Sequence, residues 1–333
     1  MGAVTKNEIQ RKMIMKELTI NKNDSGQRVD KFLSKAVPKL PKSLLYKYIR
    51  LKRIKLNGKR CEISTKLNEG DSMQLYINDE FFECESSELG FLNAPVELGI
   101  VYEDENILLA NKKSGLVVHD DESGTNDTLI NRITHYLYNK GEYDPQKENS
   151  FAPALCNRID RNTSGIVICA KNAESLRILN QKVKDRELHK KYLCITVGIP
   201  VNKKAELKAY MMKDEKTKTV TVYSKPNNNT KTMITKYRVL KENTALGLAL
   251  LEVDLITGRT HQIRAHLAHE GYPLLGDGKY GSNRVNKEFG VKTQALCSYY
   301  LGFDFKTEAG DLWYLNGKEY YIKDVWFQKK FFK

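Results

Sequence analysis

Asp160 stands in Leu155-Cys156-Asn157-Arg158-Ile159-Asp160-Arg161-Asn162-Thr163-Ser164-Gly165, a single carboxylate between two arginines. An Asn-Thr-Ser-Gly turn and the apolar run Ile166-Val167-Ile168-Cys169-Ala170 follow, which puts the acid at the mouth of a buried strand. Such a carboxylate is either a structural ion pair or the centre of a reaction, and for an arbitrary site the ion pair is the commoner case. Three further segments carry the polar density that chemistry needs. Lys190-Lys191 leads into a strand that starts with Tyr192. In Thr257-Gly258-Arg259-Thr260-His261-Gln262-Ile263-Arg264-Ala265-His266, Thr260 is placed to cap a helix, with His261 and Arg264 one turn apart on one side. Gly271 to Gly281 is a glycine-rich loop in which Asp277 reads as a turn-stabilising residue rather than a second acid. His261 and His266 stand at i and i+5 and do not share a helix face, so no metal is expected there. His119 is an isolated histidine at a strand end and is given no role.

A scaffold must hold these groups, and the chain is long enough for two modules. Its 333 residues with 41% apolar content can bury a sizeable core. No apolar run approaches the roughly twenty residues that span a bilayer. The polar start from Met1 to Glu17 lacks a signal core, and Met15 offers an alternative start. The six cysteines form no Cys-x-x-Cys pair, so reduced thiols in a cytoplasmic protein are expected. The net charge of +14 is uneven. From Arg28 to Ile77, 13 Lys and Arg face 4 Asp and Glu, which suits a polyanion partner or a solvated basic surface.

Within that basic stretch, Arg28 opens an amphipathic helix whose Phe32, Leu33 and Val37 share a face and which stops at Pro38 to Pro41. Ser43 is expected to cap a second helix, Leu44 to Leu51, with Lys47 and Arg50 on one side. Ile54-Lys55-Leu56, an Asn57-Gly58 turn and Lys59-Arg60-Cys61 read as a hairpin, followed by a strand from Met73 to Ile77. Asn78 to Pro95 is acidic, with Glu80, Glu83, Glu85 and Glu88, and reads as a linker. Beyond it, strands at Ile100–Asp104, Ile107–Asn111 and Gly115–His119 precede helices at Leu129 to Lys140, opened by Asp127-Thr128, and at Glu174 to Lys184. A strand from Tyr192 to Gly198, paired strands to Asp254 and a helix from His261 to Glu270 complete an α+β pattern with a mixed, mostly antiparallel sheet, flanking helices and a central cleft.

The basic segment resembles the S4 RNA-binding module, on Arg28, Asp30, Phe32, Leu33, Ser43, Ile54, Asn57, Gly58, Lys66, Leu67, Gly70 and Asp71. That resemblance implies that Lys47, Arg50, Arg53, Lys55 and Lys59 face RNA phosphates. The remainder resembles the pseudouridine synthase family, in the branch of type A/C/D that acts on the large ribosomal RNA. Tyr102-Glu103-Asp104 with Asn111-Lys112 and Gly115-Leu116-Val117-Val118-His119 match its first motif. Arg158-Ile159-Asp160 with Thr163-Ser164-Gly165, Lys190 with Tyr192, and Thr257 to Arg264 with Gly276-Asp277 and Tyr280-Gly281 match the others in order.

The resemblance implies isomerisation of uridine to pseudouridine in RNA, 23S ribosomal RNA being the expected substrate and transfer RNA an alternative. It implies a base-flipping reaction with no cofactor, no metal and no membrane, by a monomer. Asp160, Tyr192 and Arg264 would be catalytic, with Arg264 paired to Asp160 and Tyr192 stacked under the target uracil. Arg158, Thr163, Lys190, Arg259 and Thr260 would hold substrate, with Arg158 filling the gap in the RNA stack. The implied domains are a disordered or added lead-in at 1–15, an S4-like domain at 16–79, a linker at 80–95 and the catalytic domain at 96–333. A non-catalytic ribosome-assembly factor on the same fold is the competing reading, and a glycoside hydrolase lacks its second acid. Three positions depart from the family pattern: Asn157 replaces a His, Lys113-Ser114 replaces Pro-Ala, and Cys297 stands where a His is common. Asn does not titrate near neutrality, so no acid–base role is expected at position 157.

Overall fold

The computed structural model describes residues 15–82, 86–120, 124–214 and 216–332, so the expected lead-in falls outside the described residues except for Met15. Glu83 and Glu85 of the acidic stretch also fall outside them. The chain divides into two units, one of residues 1–93, 134–153 and 172–174, the other of residues 94–133, 154–171 and 175–333.

The first unit contains β1 (Met15–Thr19), α1 (Val29–Ala36), α2 (Lys42–Arg50), β2 (Ile54–Leu56), β3 (Lys59–Arg60) and β4 (Ser72–Tyr76), followed by 3-10 turns at Asp79–Phe81 and Ser86–Asn93. Its sheet has the order β1-β4-β2-β3. The helices bury Phe32, Leu33, Leu45 and Ile49 against Ile54, Leu67, Met73 and Leu75. Burying each such side chain contributes roughly 1.5–3 kcal/mol. The Asn57-Gly58 turn is left-handed at both residues, with φ of 51° and 73°, as a two-residue hairpin requires. Its Asn57 side chain also donates to Asp71 and accepts from the Ser72 N–H, each at 2.8 Å, which ties the hairpin to β4.

The second unit is built on one large sheet. In chain order come β5 (Ile100–Glu103), β6 (Ile107–Lys112), α3 (Leu129–Asn139, whose residues from Thr134 on fall in the first unit), β7 (Ala154–Leu155), β8 (Ser164–Ala170) and α4 (Ala173–Lys184, whose first two residues fall in the first unit). Then come β9 (Leu188–Val197), β10 (Lys204–Lys213), β11 (Val220–Tyr223), β12 (Lys231–Asn243) and β13 (Leu248–Leu255). Last are α5 (Gln262–His269), α6 (Asn283–Glu288), β14 (Leu296–Phe303), β15 (Glu319–Tyr321) and α7 (Trp326–Phe331). The order is β11-β10-β12-β13-β9-β14-β8-β6-β5, with β15 beside β14 and β7 beside β8. β8 and β14 run parallel and the other pairs antiparallel, so the α+β expectation of a mixed, mostly antiparallel sheet holds.

Alternation along β9 sends Tyr192 and Cys194 to one face, where Ile263 and Leu267 of α5 cover them. Leu193 and Ile195 go to the other, against Phe327 and Phe331 of α7. The parallel contact between β8 and β14 depends on Gly165. At φ +127° a Cβ there would lie 2.7 Å from Ser298 Cα and closer still to its carbonyl oxygen.

Several sequence expectations need correction. Ser43 is exposed and caps nothing; Pro41 is the N-cap and its carbonyl accepts from the Leu45 N–H, so α2 starts at Lys42. Thr260 is likewise not a cap, because His261 holds that position in a left-handed conformation. Gly115–His119 is not a strand: the Val117 and Val118 carbonyls accept from the first turn of α3 instead of a sheet neighbour. Tyr192 does not start its strand, since β9 already pairs with β14 from Leu188. Thr128, by contrast, does cap α3, accepting from the Asn131 N–H at 3.2 Å.

Candidate active site

The loop that carries Asp160 is fixed at both ends by the backbone. Asn157 accepts from the Ile168 N–H of β8 at 2.8 Å, so the residue that departs from the family pattern ties the loop to the strand. The Thr163 N–H donates to the Asp160 carbonyl at 3.0 Å and closes the turn. Lys112, at 1% exposure, points its ammonium at three carbonyls: Arg161 and Leu116 at 2.7 Å and Lys113 at 3.1 Å. Burial lowers the Lys112 pKa to about 7, against the pull of the Asp160 charge. Gly115 and Arg161 exchange further hydrogen bonds, and Ser114 donates to the Asn162 carbonyl at 2.8 Å. The carboxylate is therefore mounted on a loop whose own polar groups are largely satisfied.

Arg264 reaches Asp160 from α5, as the sequence suggested. Its Nη1 donates to Asp160 Oδ2 at 2.9 Å. The remaining face of the guanidinium is taken by Asp277, with Nε to Oδ2 at 2.7 Å and Nη2 to Oδ1 at 3.0 Å. Asp277 is fully buried and also accepts from the backbone N–H groups of Lys279 and Tyr280. The turn role foreseen for Asp277 is thus real but incomplete, because its larger function is to clamp Arg264. Burial opposes the charge on both, yet each pKa moves toward the charged form because the pairing outweighs desolvation. Asp160 is the accessible member, with its side chain 28% exposed against 8% for Arg264. Its Oδ1 has no hydrogen-bond partner among the described residues.

Of the other predicted residues, Tyr192 lies within reach of the Asp160 charge. Tyr192 is buried beneath the site, and burial, reinforced by the Asp160 charge, pushes its phenol up to about 12. It is a neutral ring at physiological pH, suited to stacking and unsuited to acting as a phenolate base. β9 and β14 have a bulge between Ser298, which faces Tyr192, and Tyr300, a device that re-aims side chains next to functional sites. Lys190, two residues from Tyr192 and on its face, has its pKa lowered by burial. Arg158, Arg259 and Thr260 are exposed, and Arg259 donates to the Thr232 carbonyl at 3.3 Å. Thr163 differs from these: it is 2% exposed and its hydroxyl accepts from Gln294 at 3.0 Å, which anchors the loop.

Sequence reasoning left out two partners of this site, His261 and Tyr280, although both stand in the matched motif. His261 Nε2 lies 3.9 Å from Asp160 Oδ2 and its Nδ1 lies 2.8 Å from the Tyr280 hydroxyl. Among the described residues no cluster of His, Cys, Asp and Glu could hold a metal ion, and no helix is long and apolar enough to cross a membrane. In the first unit, Lys47, Arg50 and Lys59 are exposed, while Arg53 lies over the Tyr48 ring at 5.4 Å and Lys55 over the Tyr76 ring at 5.2 Å.

Comparison with known proteins agrees with this geometry. The profile of the RNA pseudouridylate synthase family matches residues 106–269. An RNA pseudouridine synthase of Mycoplasma genitalium is 34% identical over 295 residues, covering 87% of this chain and 90% of that protein. The chain belongs to the RNA pseudouridine synthase family. The S4 domain profile matches residues 27–72, in the basic segment. A ribosomal large subunit pseudouridine synthase C of Rickettsia bellii is 32% identical, with 80% of this chain and 87% of that protein aligned. Among solved structures, the human RNA pseudouridylate synthase domain-containing protein 1 shares the fold of this synthase, with a TM-score of 0.55 over 71% of this chain and 87% of that one, at 22% identity.

Proposed function

We propose that this synthase isomerises specific uridines in 23S ribosomal RNA, with Asp160 as its one catalytic carboxylate. The observation that carries the reading is the asymmetry of Asp160: Oδ2 is held by Arg264, while Oδ1 is unengaged among the described residues, on a side chain that is 28% exposed. Isomerisation breaks the N1–C1′ bond, rotates the uracil and joins C5 to C1′. The C5 proton is lost and N1 gains one, so no atom is added or removed. Either route open to Asp160, attack at C1′ or removal of the 2′ proton, needs an aimed oxygen, and the clamped Arg264 fixes Oδ2 so that Oδ1 is the oxygen left to react. A uracil in structured RNA has to leave its stack to be reached. Tyr192 would form the platform beneath it, Lys190 and Arg259 would meet phosphate or base, and the exposed Arg158 would occupy the vacated position. The names of the large-subunit relatives support ribosomal RNA as the substrate. The S4 match supports residues 16–79 as an added RNA grip, before a linker at 80–95 and the catalytic domain at 96–333. A cytoplasmic monomer suits that role.

The test is a map of pseudouridines in total RNA from cells with the parent gene, with Asp160→Asn and with the gene deleted. Sites present with the parent and missing from both others support the proposal. A map unchanged by deletion removes the activity, and sites retained by Asp160→Asn remove the role of the carboxylate.

A further inference from the structure

We propose that His261 is a positioning residue for Asp160, held as a neutral donor by a relay that starts at the backbone of β11. The inference rests on the assignment of Asp160 as the reacting carboxylate. His261 adopts φ 53° and ψ 20° at the start of α5, a left-handed conformation that few non-glycine residues hold. The loop before it is pinned by buried Gln262, which accepts from the Thr257 hydroxyl at 2.8 Å and the Arg259 N–H at 3.1 Å and donates to the Ile234 carbonyl at 3.0 Å. That conformation sets the imidazole between two partners, Tyr280 and Asp160.

The first member of the relay favours one direction for it. The Val220 N–H can only donate, and it donates to the Tyr280 hydroxyl at 2.9 Å. The Tyr280 proton is then free to go to His261 Nδ1, 2.8 Å away. A neutral imidazole that accepts at Nδ1 carries its proton on Nε2, the nitrogen that faces Asp160 Oδ2 at 3.9 Å. A shift of about 1 Å in either side chain turns that approach into a hydrogen bond. Both donors, Arg264 and His261, thus address Oδ2 and leave Oδ1 for the sugar.

Neutrality matters here. Arg264 already supplies one positive charge, and a second beside Asp160 would quench the oxygen that has to react. Burial holds the imidazole below its usual range. Arg264 and Lys279 act in the same direction, while Asp160 and Asp277 oppose them. The Tyr280 ring closes over the pair, edge-on to His261 at 5.7 Å and facing the Arg264 guanidinium at 5.3 Å.

Two measurements test this. In 15N-histidine-labelled protein, the imidazole signal that vanishes in His261→Gln should show a protonated Nε2 and a bare Nδ1 at neutral pH, and Tyr280→Phe should weaken that preference. A protonated Nδ1 at neutral pH overturns the proposal, whatever RNA the synthase modifies. Kinetics are read by tritium release from a transcribed large-subunit RNA labelled at uracil C5. His261→Ala should lower kcat about tenfold with KM little changed, and Gln, whose amide reaches the Nε2 position, should recover most of that loss and abolish the acid limb of the pH profile. An alanine variant with parental kcat, or a glutamine variant as slow as alanine with an unchanged melting temperature, overturns it. If the parent itself releases no tritium, the activity assignment fails while the imidazole signal still decides the relay.

Discussion

Asp277→Asn should destabilise this synthase far more than Asp160→Asn, although both remove a carboxylate from the same arginine. Asp277 is fully buried and receives two donors from Arg264 and two from the backbone. An amide there keeps one acceptor, but its NH2 group faces a guanidinium N–H or forfeits the backbone bonds, and Arg264 is left buried with less compensation. Removing one partner from a buried ion pair costs about 3–5 kcal/mol. Arg264 keeps its contact with Asp160, so the lower end, about 3 kcal/mol, applies, a fall of roughly 6–12 °C in Tm for a unit of this size. Asp160 is part-exposed and its loss leaves the bidentate clamp in place, so Asp160→Asn should stay within about 1 kcal/mol of the parent. Thermal and urea denaturation of the full chain, followed by circular dichroism, measure both. If Asp277→Asn melts with the parent, or Asp160→Asn melts as low as Asp277→Asn, the division between a structural and an accessible carboxylate is wrong.

Two further outcomes follow from buried positions. Gly165→Ala should part β8 from β14, because its Cβ has no room beside the Ser298 backbone, and a loss above about 3 kcal/mol is expected in the same melts; a parental Tm would refute the packing argument. His266 is buried, with Nδ1 on the Thr235 hydroxyl at 2.9 Å, and burial lowers its pKa to about 4. It is neutral when folded and takes up a proton below about 6.5 when unfolded, so its contribution is complete above that pH and is lost as pH falls toward 4, up to about 3 kcal/mol in all. Melting temperature against pH should therefore fall more steeply for the parent than for His266→Gln in that window, and parallel curves would count against it.

The α+β class, the hairpin at Asn57-Gly58 and the long-range pairing of Asp160 with Arg264 could be read from the sequence alone, for different reasons. Asn-Gly encodes a backbone conformation locally. The pairing, across about a hundred residues of chain, was accessible only through motif resemblance, because nothing in the spacing of Asp160 and Arg264 brings them together. What the sequence hid are features decided by competition for backbone groups. Ser43 and Thr260 have the composition of caps, but Pro41 and His261 occupy those positions. Val117 and Val118 look like a strand, but their carbonyls are taken by α3. The part that Thr163 plays depends on Gln294, which is distant in the chain and carries no local signal. Asp277 could be placed in a turn from its glycine neighbours, whereas its grip on Arg264 needed the fold.

One arginine stands between two aspartates. The carboxyls are identical groups, and their environments separate them. Asp277 is sealed, receives four donors and is locked in its charged form by the pairing and the backbone N–H groups. Asp160 shares only one guanidinium N–H and keeps an oxygen open. Were Arg264 free to turn, it would offer its fork to Asp160, engage both oxygens and leave none to react. The clamp by Asp277 uses Nε and Nη2 and leaves Nη1 for Asp160. The buried carboxylate therefore does more than hold a loop: it limits how much of the arginine Asp160 can engage and leaves Asp160 Oδ1 open, as the proposed role of that carboxylate requires.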